Sequence, residues 1–185
     1  MGEHKVTRRA VFLDRDGVIN RALVRNHLPY SPETLAELEI LPGVAEGCRL
    51  LKAAGFLLIV ATNQPDVGRG KQSQIVIEQM HDRLLRQLPL DRIEVCYHSG
   101  VEPCECRKPL PGLLVRAARE LAVDLSKSFM VGDRWRDIDC GHAAGCRTIL
   151  VDYGYAEALR IQPDYRVPSL LMAVHIILAD VQRKD

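Results

Sequence analysis

Asp14-Arg15-Asp16-Gly17 follows directly on the apolar run Ala-Val-Phe-Leu at 10–13. Two Asp residues two apart on a turn can aim one side chain and one backbone carbonyl at the same cation. Mg²⁺ takes oxygen ligands in octahedral geometry and keeps several waters, so two or three protein oxygens plus a substrate phosphate complete its shell. A carboxylate can also attack phosphorus and form an aspartyl-phosphate, and a cation offsets the repulsion between Asp14 and the phosphate. Asp16 then stands where it can protonate a leaving alcohol and later take a proton from water. Alone, Asp-x-Asp-Gly after a strand is an ordinary turn sequence. What raises it is that two other apolar runs end in similar groups: 56–61 at Thr62-Asn63, and 128–131 at Gly132-Asp133, with Asp137 placed to hold a water or orient the shell.

Thr62 and Asn63 offer a hydroxyl, an amide and backbone N–H groups, which suit phosphate oxygens without adding charge. Lys108, in Cys106-Arg107-Lys108-Pro109, adds a cation for the transferring group, because phosphoryl transfer asks mainly for positioning and charge stabilisation. Arg107 has a planar fork suited to a second phosphate or to substrate hydroxyls. Read singly, such Lys and Arg residues are solvated surface charges; their position after a cysteine-histidine cluster gives them weight.

That cluster is Cys96-Tyr97-His98, five intervening residues, then Cys104-Glu105-Cys106. Three thiolates and one imidazole make a full tetrahedral Zn²⁺ set with no open position, so the expected role is structural. The residues between, 99–103, have little apolar content, and zinc would supply the missing folding energy and hold Arg107 and Lys108 in place. Reduced unliganded thiols, or a disulfide, are the alternatives. Cys48, Cys140 and Cys146 are scattered and read as small buried apolar residues.

The elements that must position these groups alternate. Strand-like runs fall at 10–13, 56–61, 93–97, 128–131 and 148–151. Helical spacing marks 44–54, 76–88, 112–121 after Pro111, a short helix near 137–144, and a final one at 169–181 with a strongly apolar face. Alternation of this kind predicts an α/β fold: a three-layer, Rossmann-like parallel sheet with helices on both faces. Ligands collect beyond the carboxyl ends of such strands. Asp14, Asp16, Thr62, Asn63 and Asp133 all sit there.

These motifs resemble those of the haloacid dehalogenase superfamily: Asp14-x-Asp16 as the first, Thr62 as the second, Lys108 as the third, and Gly132-Asp133-x-x-x-Asp137 as the fourth. More narrowly, Asp14 to Asn20, Thr62-Asn63-Gln64, Arg69-Gly70, the Cys/His loop and Cys106-Arg107-Lys108-Pro109-x-Pro111-Gly112 are similar to the group of heptose-bisphosphate and histidinol-phosphate phosphatases. The resemblance covers about 10–152. It implies a nucleophile at Asp14, an acid/base at Asp16, and Mg²⁺ on Asp14, Asp133 and Asp16 through its backbone carbonyl. It further implies Zn²⁺ on Cys96, His98, Cys104 and Cys106, a phosphoryl clamp of Thr62 and Lys108, and substrate contacts at Asn63, Gln64, Arg107 and Arg134. A sugar bisphosphate asks for rim cations such as Arg107 and Arg134; an amine substrate would prefer carboxylates. No stretch is long enough for a large cap domain.

The rest of the chain bounds this reading. Its 185 residues fit a single domain, and 47% hydrophobic with 26% charged residues is ordinary for a globular protein. A net charge of +1 gives no basic field for nucleic acid. No apolar run approaches the roughly 20 residues that span a bilayer, and residues 1–10 are polar and basic without the apolar stretch of a signal peptide. The expectation is a cytoplasmic monomer acting on a small phosphorylated sugar, with neither nucleic acid nor membrane as partner.

Overall fold

In the computed structural model, which describes residues 7–182, the first apolar run forms β1 (Ala10–Leu13). A short antiparallel hairpin follows, β2 (Leu23–Arg25) and β3 (Leu28–Tyr30). Then come α1 (Val44–Ala53), β4 (Leu57–Asn63), the single turn α2 (Pro65–Gly68), α3 (Gln74–Gln87) and β5 (Arg92–Cys96). The chain continues through α4 (Gly112–Leu121), β6 (Phe129–Gly132), α5 (Trp135–Ala144), β7 (Arg147–Val151), β8 (Tyr165–Val167) and α6 (Leu170–Gln182). Six strands form one sheet in the order β5-β4-β1-β6-β7-β8, all paired in parallel.

β1 lies inside this sheet, and its alternation divides the core in two. Val11 and Leu13 pack with Cys48 and Leu51 of α1, Met80 and Leu84 of α3, and Val174 and Ile177 of α6. Ala10 and Phe12 pack on the opposite side with Leu113 and Ala117 of α4 and Cys140 of α5. A strand buried on both faces must be apolar throughout, which is why these runs do not alternate with polar residues. Each large side chain so buried contributes about 1.5–3 kcal/mol. The expected three-layer α/β architecture is therefore present, and the apolar face of α6 is spent largely on core packing against α1 and the sheet.

Three features differ from the sequence reading. α5 begins at Trp135 rather than near 137, because the Asp137 carboxylate accepts a hydrogen bond from the Arg134 backbone N–H (3.0 Å) and so caps an earlier first turn. The connection after Asn20, where the sequence marked no element, holds the β2–β3 hairpin, reversed at Asn26 and His27 with positive φ of 51° and 59°. A sixth strand, β8, follows the long connection 152–164. Residues 1–6, on which the signal-peptide reading largely rested, lie outside the described residues. No described helix is long and apolar enough to cross a membrane.

Candidate active site

The carboxyl ends of β1, β4 and β6 meet. Asp14, Asp133 and Asp137 are all buried, and each offers an oxygen within 4.8 Å of the others. Such an arrangement requires close backbone approach. Gly17 has φ +94°, and a methyl group there would overlap the Asp133 carboxylate; one at Gly132 would overlap Asp137. Both positions therefore demand glycine.

Lys108 reaches this cluster from the segment after the Cys/His loop. Its Nζ donates to Asp14 Oδ1 (2.7 Å) and to the Ala61 carbonyl (2.7 Å), and lies 2.6 Å from Asp137 Oδ1. The three ammonium protons are thus matched by three acceptors. Asp137 is fully used, by Lys108 and by the Arg134 N–H. Asp133 is the exception: both its oxygens are buried without a hydrogen-bond partner. Two unpaired carboxylate oxygens beside Asp14 are unfavourable for a protein alone and fit a hard, oxygen-seeking cation.

The charges reflect this crowding. Burial, with help from Asp137 and Asp16 and against the pull of Lys108, lifts Asp14 to about 7. Asp133 is pushed well above the usual carboxylate range by burial, then by Asp14 and Asp137. Burial disfavours the Lys108 ammonium, yet Asp137 and Asp14 together outweigh it and raise its pKa. A bound divalent cation would reverse the shifts of the two acids.

Asp16 is held differently. Arg15 grips it with Nε (3.1 Å to Oδ1) and Nη2 (3.0 Å to Oδ2), Asn20 Nδ2 donates to Oδ1 (2.9 Å), and Ser31 Oγ (2.7 Å) and Gln64 Nε2 (2.9 Å) donate to Oδ2. Burial opposes its ionisation, but Arg15 and the neutral donors win, so its pKa lies below the ordinary value. Its carboxylate is not part of the cluster of Asp14, Asp133 and Asp137, which leaves only its backbone carbonyl for the expected cation contact.

The other expected site residues line one cavity of about 670 Å³ above these carboxylates: Thr62, Asn63, Gln64, Arg107, Lys108 and Arg134. Not all are free to meet a ligand. Asn63 uses both amide atoms on the Lys108 backbone, accepting from its N–H and donating to its carbonyl, each at 3.0 Å. Gln64 links Asp16 to Thr62 Oγ1 (2.9 Å). Arg134 forms a two-pronged ion pair with Glu157. Arg107 Nη1 donates to the His98 carbonyl (3.1 Å), tying the cavity rim to the Cys/His loop.

In that loop Cys96, His98, Cys104 and Cys106 place one donor atom each within 4.8 Å of one another. His98 Nδ1 lies 3.4 Å from Cys96 Sγ and 3.2 Å from Cys106 Sγ. Tetrahedral zinc, at about 2.3 Å from sulfur and 2.0 Å from nitrogen, sets donors about 3.5 Å apart, so the set fits that ion.

Comparison with known proteins agrees with this geometry. A family model described as HAD-hydrolase-like matches residues 105–173. The D-glycero-beta-D-manno-heptose-1,7-bisphosphate 7-phosphatase of Escherichia coli K12 is 39% identical over 158 residues, covering 78% of this chain and 80% of the relative. The corresponding 7-phosphatase of Thermosynechococcus vestitus is 36% identical, covering 92% and 95%. The chain belongs to this family of haloacid-dehalogenase-like phosphatases. It is a phosphoric monoester hydrolase. A crystal structure of D,D-heptose 1,7-bisphosphate phosphatase from B. bronchiseptica, complexed with magnesium and phosphate, superposes with a TM-score of 0.75 at 29% identity, covering 93% of this chain and 99% of that one.

For a phosphatase of this family, several residues at the site were not singled out by the sequence. Ser31 reaches Asp16 from the end of the hairpin, whose Arg25, Leu28, Pro29 and Tyr30 form a cavity wall. His81 of α3 contacts Arg15. Glu157, in the connection after β7, holds Arg134 and lies 3.7 Å from Arg136. The turn residue Asn26 between two apolar pairs was the available signal for the hairpin; nothing local to Glu157 marks it.

Proposed function

We propose that the protein removes the 7-phosphate of D-glycero-D-manno-heptose 1,7-bisphosphate through a phosphorylated Asp14. The observation that carries the reaction is the buried trio Asp14, Asp133 and Asp137 with Lys108 between two of them and Asp133 unpaired. Asp14 attacks phosphorus along the line of the leaving oxygen, the P–O7 bond breaks, and Asp16 gives its proton to the sugar alkoxide. Asp16 then takes a proton from water, which attacks phosphorus and releases Asp14 with inorganic phosphate. The dianionic phosphate entering beside Asp16 raises its pKa and lets it carry the proton that the first step needs. Thr62 and Lys108 orient the phosphoryl oxygens, while Asn63 and Gln64 fix Lys108 and Asp16.

Mg²⁺ is the cofactor of this reading: Asp14, Asp133 and the Asp16 carbonyl would hold it, and it would supply charge neutralisation between carboxylate and phosphate. Zn²⁺ on Cys96, His98, Cys104 and Cys106 is structural and fixes the segment that carries Arg107 and Lys108. None of the six cysteines is in a disulfide, which fits action in the reducing cytoplasm, here as a single-domain monomer.

The substrate rests on the relatives together with the rim. Arg25, Arg69, Lys71, Arg107, Arg134 and Arg136 line the cavity against Glu33 and Asp66. A cationic rim favours a second phosphate over the amine of histidinol phosphate. The test is steady-state turnover of both heptose 1,7-bisphosphate anomers, histidinol phosphate and common sugar phosphates, by wild type and Asp14→Asn. Preference for the bisphosphate by kcat/KM, and loss of several orders of magnitude in the variant, are expected. Near-normal turnover by Asp14→Asn would remove the covalent mechanism; preference for histidinol phosphate would remove the substrate.

A further inference from the structure

Among the described residues Arg15 is the largest fully buried side chain, with no exposed surface. An apolar residue of similar volume would stabilise the fold as well or better, since a buried ion pair seldom recovers its desolvation cost. Its contacts give it another use. Nε and Nη2 grip both oxygens of Asp16, and Nη1 lies 3.1 Å from Nε2 of His81. A guanidinium can only donate, so Nε2 of His81 is the unprotonated acceptor and the ring is neutral, with its proton on Nδ1. Burial, then the neighbouring Arg15 charge, lower the pKa of His81 to about 3, in keeping with that tautomer. His81 sits on the core-facing side of α3 with Ile77, Met80 and Leu84, so its ring is anchored by packing.

We propose that His81 is a positioning residue for proton transfer, acting through Arg15 to fix the orientation of the Asp16 carboxylate; this rests on the acid/base role proposed above. The donors around Asp16 divide into two groups. Ser31 and Gln64 line the cavity, and the Ser31 hydroxyl is the donor a leaving-group oxygen would displace. Arg15 is shut away from the cavity and stays in place while substrate binds. With the His81 acceptor removed, the Nη1 N–H is buried without a partner, and the fork turns toward other acceptors at the expense of its grip on Asp16. A planar, two-pronged contact is sensitive to such a turn.

The experiment compares His81→Leu, which has no acceptor, with His81→Gln, whose Oε1 can replace Nε2. kcat/KM, which reports the steps through phosphoryl transfer, is measured for heptose 1,7-bisphosphate and for 4-nitrophenyl phosphate, whose leaving group needs no proton. General acid catalysis is worth about 10²–10⁴-fold. Partial misalignment in His81→Leu should therefore cost about 10-fold or more on the heptose bisphosphate and less than about 2-fold on the aryl ester. His81→Gln should recover most of the loss. Equal losses on both substrates, equal losses in both variants, or no loss would each overturn the proposal. Should His81→Leu not fold, Arg15→Lys keeps the charge but not the fork; the same substrate split is expected, and its absence there overturns the proposal as well. Asp14→Asn separates the two readings: if it retains turnover, the covalent mechanism fails, whereas an inactive Asp14→Asn beside a His81→Leu without the split defeats this inference alone.

Discussion

Lys108→Met tests the charge structure of the site most directly. The ammonium is 3% exposed and touches Asp14, Asp137 and the Ala61 carbonyl at 2.6–2.7 Å. Removing one partner of a buried ion pair costs about 3–5 kcal/mol, because the remaining charge is left uncompensated. Asp14 already titrates near 7, so it answers the loss by taking up a proton, and the lower end of that range applies. About 3 kcal/mol in a domain of this size lowers Tm by about 6–12 °C. That figure holds for the metal-free protein. Magnesium held on Asp14 and Asp133 as proposed would supply a replacement cation, so the deficit should shrink when it is saturating. Turnover should not recover in parallel, since loss of one preorganised charge at a reacting phosphate costs about 10²–10³-fold in kcat. Calorimetric melts at pH 7.5 with EDTA or with Mg²⁺, alongside kcat, separate the two effects. If Lys108→Met melts within about 2 °C of wild type in EDTA, the cluster is not the concentration of buried charge argued above.

Two further outcomes follow from the same geometry. Without magnesium, the folded protein binds more protons at Asp14 than the unfolded chain does between 3.8 and about 7. Stability from this residue is present below that window and is lost as pH rises through it, with a slope of up to about 1.4 kcal/mol per unit. Saturating Mg²⁺ should flatten that dependence, and the difference between melts with and without the ion over pH 4–7 isolates it from other groups. For the Cys/His loop, metal analysis of protein purified without chelator should find one zinc per chain. Stripping it, or Cys104→Ser, should lower Tm and impair turnover while leaving the magnesium requirement intact; absence of zinc refutes the assignment.

The strand ends were legible because a strand buried on both faces is an unbroken apolar run, and its end is marked by the first polar residue. Asp14, Thr62 and Asp133 stand at such points, and the sheet brings them together. Short elements carry no such mark. β2, β3 and β8 have three residues each, too few for a period to emerge. Side-chain partners chosen across the fold are equally silent. Arg15 reads as a surface charge between two acids until α3 brings His81 to it from 66 residues away. Asn63 has the chemistry of a phosphate donor, yet its amide faces the Lys108 backbone. Arg134 lines the cavity, but its charge is shared with Glu157, from a connection without regular structure. Residue type and strand position set which groups can act; tertiary pairing decides which remain free.

That division bears on the bisphosphate proposed as substrate. On the floor, Asp14, Asp16 and Asp137, with Asp133 behind them, meet only Lys108 and Arg15, so acids outnumber the buried cations. Such a floor repels a phosphate unless a divalent cation enters with it. On the rim the balance is the opposite. Arg25 pairs with Glu33, Arg69 with Asp66 and Arg134 with Glu157, but Lys71 and Arg107 have no carboxylate partner among the described residues while facing the same cavity. A monophosphate bound at the floor would leave these cations unmatched. A second phosphate, carried on the far end of a sugar held in about 670 Å³, would meet them without drawing on the charges that the reaction uses.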